Sequence, residues 1–164
     1  AHLKGFSEGL QDSHLPECHK TTFNVIGFQV PENAGQGGVN SPVGREAAMN
    51  AAIPISEGFN LGFVKCRPGK GVLMHNHDTN ETFVVMSGRW KVEWNEAPHT
   101  ESLEVGPHDI ISFPAGCARR FENVTSGEPD AEHTLLFVIG GDAPQNEFTP
   151  SAMLRVAEFE RTGR

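Results

Sequence analysis

The chain consists of short apolar runs separated by turn residues. Val, Ile and Phe recur in brief alternating segments, with breaks such as Pro68-Gly69, Ser87-Gly88 and Pro114-Ala-Gly116 between them. This spacing is typical of β-sandwiches and β-barrels rather than of helical bundles. We predict strands over residues 22–30, 59–67, 72–77, 82–86, 90–94, 102–105, 110–113, 119–124 and 134–139.

Three segments depart from the strand pattern. Residues 32–44 are rich in glycine and lack apolar periodicity, which predicts a loop or a lid. Residues 45–52 contain several alanines, which weakly favour a short helical turn. Thr149 followed by Pro150 is typical of a helix start with a capping hydroxyl, and Met153, Leu154 and Ala157 follow at helical spacing. A C-terminal helix is expected to pack outside the barrel.

Length and composition favour one domain in a reducing compartment. The 164 residues suit a single domain over 1–164: an N-terminal arm and loop over about 1–55, a barrel core over about 56–142 and a helix over about 150–162. The three cysteines lack CxxC spacing, which disfavours a disulfide framework or a zinc ribbon and suits the cytoplasm.

Charge and hydropathy exclude two classes of partner. The net charge of −8 repels phosphate backbones, so a nucleic-acid partner is not expected. No apolar run approaches the roughly 18 residues that a membrane-spanning helix needs. The remaining class of partner is a small molecule.

The strongest chemical signal is a pair of alternating histidines followed by an acid. In a strand, residues i and i+2 project from the same face, so His75 and His77 can aim at one point. Glu81 begins the next predicted strand after a polar turn. Two imidazoles and one carboxylate form the ligand set of non-haem iron oxygenases, and this set also suits zinc.

These residues belong to a longer pattern that resembles the cupin family. The family's first motif, G-x5-H-x-H-x3-E-x6-G, is matched in full, and its second, G-D-x4-P-x-G-x2-H-x3-N, is matched with two departures. His108 replaces the usual glycine, and Arg119 replaces the last histidine ligand. The matching residues are Gly69, His75, His77, Glu81, Gly88, Asp109, Pro114, Gly116 and Asn123.

The resemblance implies a fold and a type of chemistry. It implies an all-β fold, a double-stranded β-helix or jelly-roll barrel, with a short C-terminal helix. It implies one divalent metal ion on His75, His77 and Glu81, with Fe2+ favoured and Mn2+, Zn2+ or Ni2+ as alternatives. It also implies a homodimer, because barrels of this family often pair edge to edge.

Arg119 leaves three hypotheses open, since a guanidinium stays protonated and cannot ligate a metal. In the first, the three ligands hold the ion and Arg119 binds the anion of a substrate. In the second, another histidine completes the site. In the third, Arg119 forms a salt bridge with Glu81 and the barrel is metal-free. The candidates for the second hypothesis are His133, His108, His14 and His19.

The function expected from these features is that of an enzyme. A metal-dependent dioxygenase is favoured, with Arg119 and Glu81 as catalytic residues and a small anionic organic substrate. Isomerases, epimerases and lyases on the same scaffold are alternatives, as is a non-catalytic, metal-free barrel that binds a small molecule, because fold alone does not select a reaction.

Two further predictions concern packing. Trp90, Val92 and Trp94 alternate along one predicted strand, and we expect them to pack against the C-terminal helix or a partner subunit rather than to line a pocket. Asn123 is expected to fix the turn that follows its strand rather than to contact substrate.

Overall fold

The computed structural model describes residues 3–7, 9–36 and 39–164, which form two antiparallel sheets and two α-helices. In chain order, the helices are α1 (Arg45–Ala48) and α2 (Pro150–Thr162). The strands are β1 (Gly5–Phe6), β2 (Thr21–Ile26), β3 (Phe59–Cys66), β4 (His75–His77), β5 (Glu81–Val85), β6 (Trp90–Trp94), β7 (Glu101–Val105), β8 (Ile110–Phe113), β9 (Arg119–Asn123), β10 (His133–Gly140) and β11 (Asn146–Phe148).

The two sheets face each other as a jelly roll. One has the order β1-β2-β3-β10-β5-β8, and the other has the order β11-β4-β9-β6-β7. Neighbouring strands are far apart in sequence, as in the pairing of β3 with β10. The predicted all-β jelly-roll fold is confirmed. No helix within the described residues is long and apolar enough to cross a membrane.

Strand alternation places the core between the sheets. On β10, Leu135, Phe137 and Ile139 are buried while the residues between them are partly exposed. Trp90 is fully buried and contacts Phe121 edge to face, with ring centroids 5.8 Å apart. The aromatic strand therefore packs into the barrel core. The expectation that Trp90, Val92 and Trp94 pack against the C-terminal helix or a partner subunit is wrong, because their side chains lie on the face of the strand that points into the core.

Helix α2 packs outside the barrel, as predicted, but through a different face. Ala152 and Val156 are buried against a cluster containing Leu15 and Leu73. Leu154 is 73% exposed, so the buried face is one residue away from the predicted stripe of Met153, Leu154 and Ala157. Thr149 does not cap the helix through its side chain. Its hydroxyl donates instead to the carbonyl of Met74, which ties the helix start to the barrel.

The N-terminal arm and the loop before α1 close one side of the barrel. The predicted strand 22–30 ends early, because Gly27 and Phe28 have positive φ. The side chain of Asn40 donates to Gln11, and Val43 is fully buried in the core. The loop predicted over 32–44 thus includes, in its second half, a packed cover over the barrel. Gly37 and Gly38 of that loop lie outside the described residues.

Candidate metal centre

Two neighbouring strands bring the three predicted ligands to one point inside the barrel. His75 and His77 are the first and last residues of β4, and both side chains are buried. Glu81 opens β5 and is also buried. The turn between them is held by Asp78, whose carboxylate accepts the backbone N–H of Gln145. The ligand atoms of His75, His77 and Glu81 all lie within 4.8 Å of one another.

Backbone carbonyls fix the tautomer of both histidines. Nδ1 of His75 lies 2.8 Å from the carbonyl oxygen of Leu73, and Nδ1 of His77 lies 2.7 Å from that of Gln145. A carbonyl only accepts, so both Nδ1 atoms carry the proton and both Nε2 atoms keep a lone pair. Such carbonyl contacts are the usual support of a histidine that binds a metal through Nε2.

Burial keeps His75 neutral. It lowers the pKa of His75 to about 3, and the neighbouring charges of His77 and Arg119 act in the same direction. A neutral imidazole is the form that binds metals. The ring is therefore in its ligand form across the physiological pH range.

Glu81 is held as a carboxylate by its contacts with Arg119 and His77. Its Oε2 lies 3.0 Å from Nε of Arg119 and 3.4 Å from Nε2 of His77. Burial works to raise the pKa of Glu81, but the charges of His77 and Arg119 lower it more, and it falls to about 2. The carboxylate is therefore ionised and oriented toward the histidine pair.

Arg119 faces the barrel interior, as its motif position predicts. It pairs in register with His75 across β4 and β9 and is fully buried. Its Nε donates to Glu81 and its Nη1 donates to the carbonyl of Cys117 at 2.8 Å. Nη2 is buried without a hydrogen-bond partner. The salt bridge of the third hypothesis is thus present, and Nη2, the donor that the first hypothesis would use, has no protein partner.

The other candidate histidines lie elsewhere. His133 contacts Asn123 and Glu128, and it is six residues along β10 from Ile139, the partner of Glu81, which corresponds to about 20 Å. His108 and His14 are exposed, and so is His19. Within the described residues, the cluster of possible ligands contains only His75, His77 and Glu81, so none of the four candidate histidines joins the site in this structure.

Asn123 has the structural role predicted for it. Its amide donates to the carbonyl of Cys66 and to Nδ1 of His133, while its oxygen accepts the N–H of Thr125. These contacts fix the chain where β9 ends. Asn123 is not among the described residues that line the cavity of the candidate site.

The ligands open into a small, mostly apolar cavity of about 40 Å³. This volume holds about three water molecules and is well below the roughly 300–1,000 Å³ of typical organic-ligand pockets. Residues of the arm and of the 40–44 loop form one wall. Arg119 is not among the described lining residues. The apolar part of the lining is Leu10, Val64, Val72, Phe83, Phe121, Phe137 and Phe148.

Sequence reasoning missed a second charged pair in the same cavity. Lys20 and Asp12 both line it, and their side chains are 4% and 2% exposed. A signal was present, because Lys20, Thr22 and Asn24 alternate along the predicted β2 region and place polar residues on one face. The strand pattern alone does not show that this face is the buried one.

The residues at this centre fit a divalent metal. Nε2 of His77 is a buried nitrogen without a hydrogen-bond partner, and such an atom is costly unless something binds it. Donor atoms around one ion with bonds of about 2.0–2.2 Å lie at most about 4.4 Å apart, and the three donor atoms here lie within 4.8 Å of one another. The two imidazoles and one carboxylate are the facial-triad ligand set.

Comparison with known proteins points to one family. The model of the cupin domain family Cupin_2 matches residues 62–135, which include all three ligands and Arg119. No curated protein matches the sequence.

Solved structures share the fold at low sequence identity. A cupin-2 domain from Rhodospirillum rubrum is 14% identical with a TM-score of 0.55, and the match covers 95% of this chain and 82% of that one. Oxalate decarboxylase from Lactobacillus farciminis, in complex with formate, is 12% identical with a TM-score of 0.56, over 99% of this chain and 39% of that one.

Vicilin from Capsicum annuum is 14% identical with a TM-score of 0.51, over 65% of this chain and 31% of that one. This chain thus spans about a third of the length of vicilin. Identities this low show the fold alone. The match to the family model and the two sequence motifs agree with that fold. Residues 62–135 thus match the cupin domain family, and the barrel has the cupin fold.

Proposed function

We propose that this chain is a metal-dependent cupin enzyme of the dioxygenase type that acts on a small anionic organic substrate. The observation that carries the proposal is the buried group of His75, His77 and Glu81, in which both histidines present Nε2 and one carboxylate completes the set. A divalent ion on this set would supply Lewis acidity, and as Fe2+ also one-electron chemistry with oxygen. Mn2+, Zn2+ and Ni2+ remain alternative ions.

The chain's own residues would prepare the site for this chemistry. The carbonyls of Leu73 and Gln145 orient the imidazoles, and Arg119 orients Glu81 through Nε. The four phenylalanines of the lining limit the space for water beside the ligands. We propose that Nη2 of Arg119, the unpaired donor, is the atom through which this residue binds the anionic group of a substrate.

The test combines iron loading with a probe of open coordination positions. We expect the Fe2+-loaded protein, under anaerobic conditions, to bind nitric oxide and to give the electron paramagnetic resonance signal of a high-spin iron nitrosyl. Glu81→Gln is expected to lose most of that signal, while Glu104→Gln, on the exposed edge strand β7, is expected to keep it. Oxygen uptake with a panel of small organic acids would then identify turnover. An iron-loaded protein that shows neither the signal nor uptake would exclude the dioxygenase proposal.

The salt bridge between Arg119 and Glu81 favours a second candidate, a metal-free barrel that binds a small anion. In that case Glu81 serves as the counter-ion of Arg119 rather than as a ligand. Protein that takes up no divalent metal but binds a small acid, with loss of binding in Arg119→Met, is the outcome that this candidate predicts.

We also propose that the chain forms a homodimer through the outer face of the larger sheet. An unbroken apolar row crosses five strands there, since Phe23 pairs with Phe63, Phe63 with Leu136, Leu136 with Val84 and Val84 with Ile110. Four of the five are partly exposed, and Ile110 is 67% exposed. A sheet face with water on its outer side normally carries polar residues. A second copy offers the same apolar row to pack against it.

A further inference from the structure

The candidate metal cavity has a second charged end, formed by Lys20 and Asp12. Nζ of Lys20 lies 2.9 Å and 3.0 Å from the two carboxylate oxygens of Asp12 and 3.3 Å from the carbonyl of Cys18. Both side chains are almost fully buried and line the same cavity as His75, His77 and Glu81. Both members of this ion pair therefore border the cavity of the candidate metal centre.

The two partners of this pair belong to different parts of the fold. Lys20 directly precedes β2, so the barrel fixes its position. Asp12 belongs to the arm, which the structure ties to the cover of the barrel: the carbonyl of Gly9 accepts the N–H of Arg45, and Gln11 accepts a hydrogen bond from Asn40. The loop of the cover is in turn held by Thr22, which donates to the carbonyl of Val43. The ion pair is thus one of the contacts that hold the arm and the cover against the barrel.

The size of the cavity requires this cover to move. About 40 Å³ holds water but no organic acid of several carbons. Moving the arm takes Asp12 away from Lys20 and leaves a buried ammonium group without a counter-ion, which is strongly unfavourable. A ligand that brings its own carboxylate removes this penalty, whereas a neutral ligand does not.

A second polar residue lines the same cavity. Ser41, a residue of the cover that is 6% exposed, is among the lining residues, and its hydroxyl is buried without a hydrogen-bond partner. Buried hydroxyl groups are normally bonded. A carboxylate on Lys20 is an acceptor of the kind that this hydroxyl lacks.

We propose that Lys20 recognises the carboxylate of the substrate, and that Asp12 occupies the same place on Lys20 in the closed, ligand-free protein. The substrate class is a small organic carboxylate that reaches from Lys20 toward the three metal ligands. Lys20 is then a specificity-determining residue, and Asp12 is the internal anion that a ligand must replace. This inference rests on the proposed function, because it adds Lys20 to Arg119 as a cation that selects an anionic substrate.

The test measures carboxylate binding on chelator-treated protein, so that no ion contributes. Acetate is the probe and acetamide, its neutral counterpart, is the control, with binding followed by nuclear magnetic resonance titration of backbone amides. We expect wild-type protein to bind acetate weakly, with shifts centred on the arm and the 40–44 loop, and to bind acetamide at least about tenfold more weakly.

Three variants locate the binding on the ion pair. Asp12→Ala is expected to bind acetate at least about tenfold more tightly than the wild type, because the internal anion is gone. Lys20→Met is expected to abolish binding. Asp130→Ala, which removes an exposed carboxylate paired with Arg67, is expected to match the wild type. If circular dichroism shows that Asp12→Ala does not fold, Asp12→Asn takes its place. The comparison of acetate binding between the wild type and Lys20→Met tests the inference in either case.

Several outcomes overturn the inference. The inference is wrong if acetate still shifts the amide resonances of Lys20→Met. It is also wrong if the wild type binds acetate and acetamide with equal affinity. Binding to Asp12→Ala without any binding to the wild type also overturns it, because the pair is then only a structural clasp. None of these outcomes depends on metal content, so a failure here leaves the metal proposal to its own test, and the absence of a metal leaves the result of this titration standing.

Discussion

Replacing Arg119 with Met removes the positive charge beside Glu81 and keeps an unbranched side chain in its place. Arg119 is fully buried, and it donates hydrogen bonds to Glu81 at 3.0 Å and to the carbonyl of Cys117 at 2.8 Å. Breaking one partner of a buried ion pair costs about 3–5 kcal/mol. We therefore expect chelator-treated Arg119→Met to lose about 3–5 kcal/mol of its free energy of unfolding.

A divalent ion should restore much of this loss, because it places positive charge next to Glu81 again. At a free concentration about 100 times the dissociation constant, a bound ligand adds about 2.7 kcal/mol to the free energy of unfolding. The wild type gains stability in the same way, so the gap between Arg119→Met and the wild type narrows in Mn2+ or Zn2+ by the amount that tighter binding of the ion adds to the variant. Removal of the like charge of Arg119 also makes the ion bind the variant more tightly than the wild type.

The assay is urea denaturation of wild type and Arg119→Met, each with chelator and with metal. Arg155→Met is the matched control, because its ion pair with Glu17 is about a third exposed, and such pairs contribute at most about 1 kcal/mol. Arg119→Met within about 1 kcal/mol of the chelated wild type would refute the reasoning. So would a gap that stays constant when metal is added.

Three other predictions follow from burial and register. The pKa of His75 is lowered to about 3 in the folded protein, whereas in the unfolded chain it is about 6.5, so below about pH 6.5 the unfolded state binds a proton that the folded state does not. The free energy of unfolding of chelated protein should therefore fall by about 1.5 kcal/mol between about pH 6.5 and about pH 5 because of this group. Urea titrations of His75→Gln at the two pH values should show a smaller fall. Burial raises the pKa of the Cys18 and Cys66 thiols, so a thiol reagent at neutral pH should titrate only Cys117 in native protein and all three cysteines in urea; rapid labelling of three thiols in folded protein would contradict this. Leu136→Glu places a charge in the apolar row of the larger sheet and should convert a dimer into a monomer in analytical ultracentrifugation, whereas a wild type that is already monomeric would exclude the dimer.

The barrel and the position of its ligands were predictable because they depend on local patterns. Alternation sets which residues share a face of a strand, and this rule places His75 with His77 and turns Arg119 inward. The same rule gives only relative facing, so it did not show that Trp90 packs into the core. Short edge strands such as β1 and β11 were missed because a segment of two or three residues has no period to detect.

The cover of the cavity was less predictable, because it depends on contacts between distant segments. Asp12 meets Lys20, and Thr22 meets the carbonyl of Val43, only after the arm and the loop fold against β2. Neither arm nor loop has a periodic pattern that fixes its path. The partners of Arg119 depend in the same way on the exact approach of β5 and β9, so the sequence left its role open among three hypotheses.

The central claim is that His75, His77 and Glu81 hold one divalent ion, and metal stoichiometry tests it most directly. Protein prepared without chelators and protein reloaded by equilibrium dialysis would be analysed by inductively coupled plasma mass spectrometry. We predict one ion per chain in the wild type, none in His77→Ala, and one in His108→Asn, the control that changes an exposed histidine outside the site. A wild type without bound metal after dialysis, or a His77→Ala variant that keeps its ion, would contradict the account.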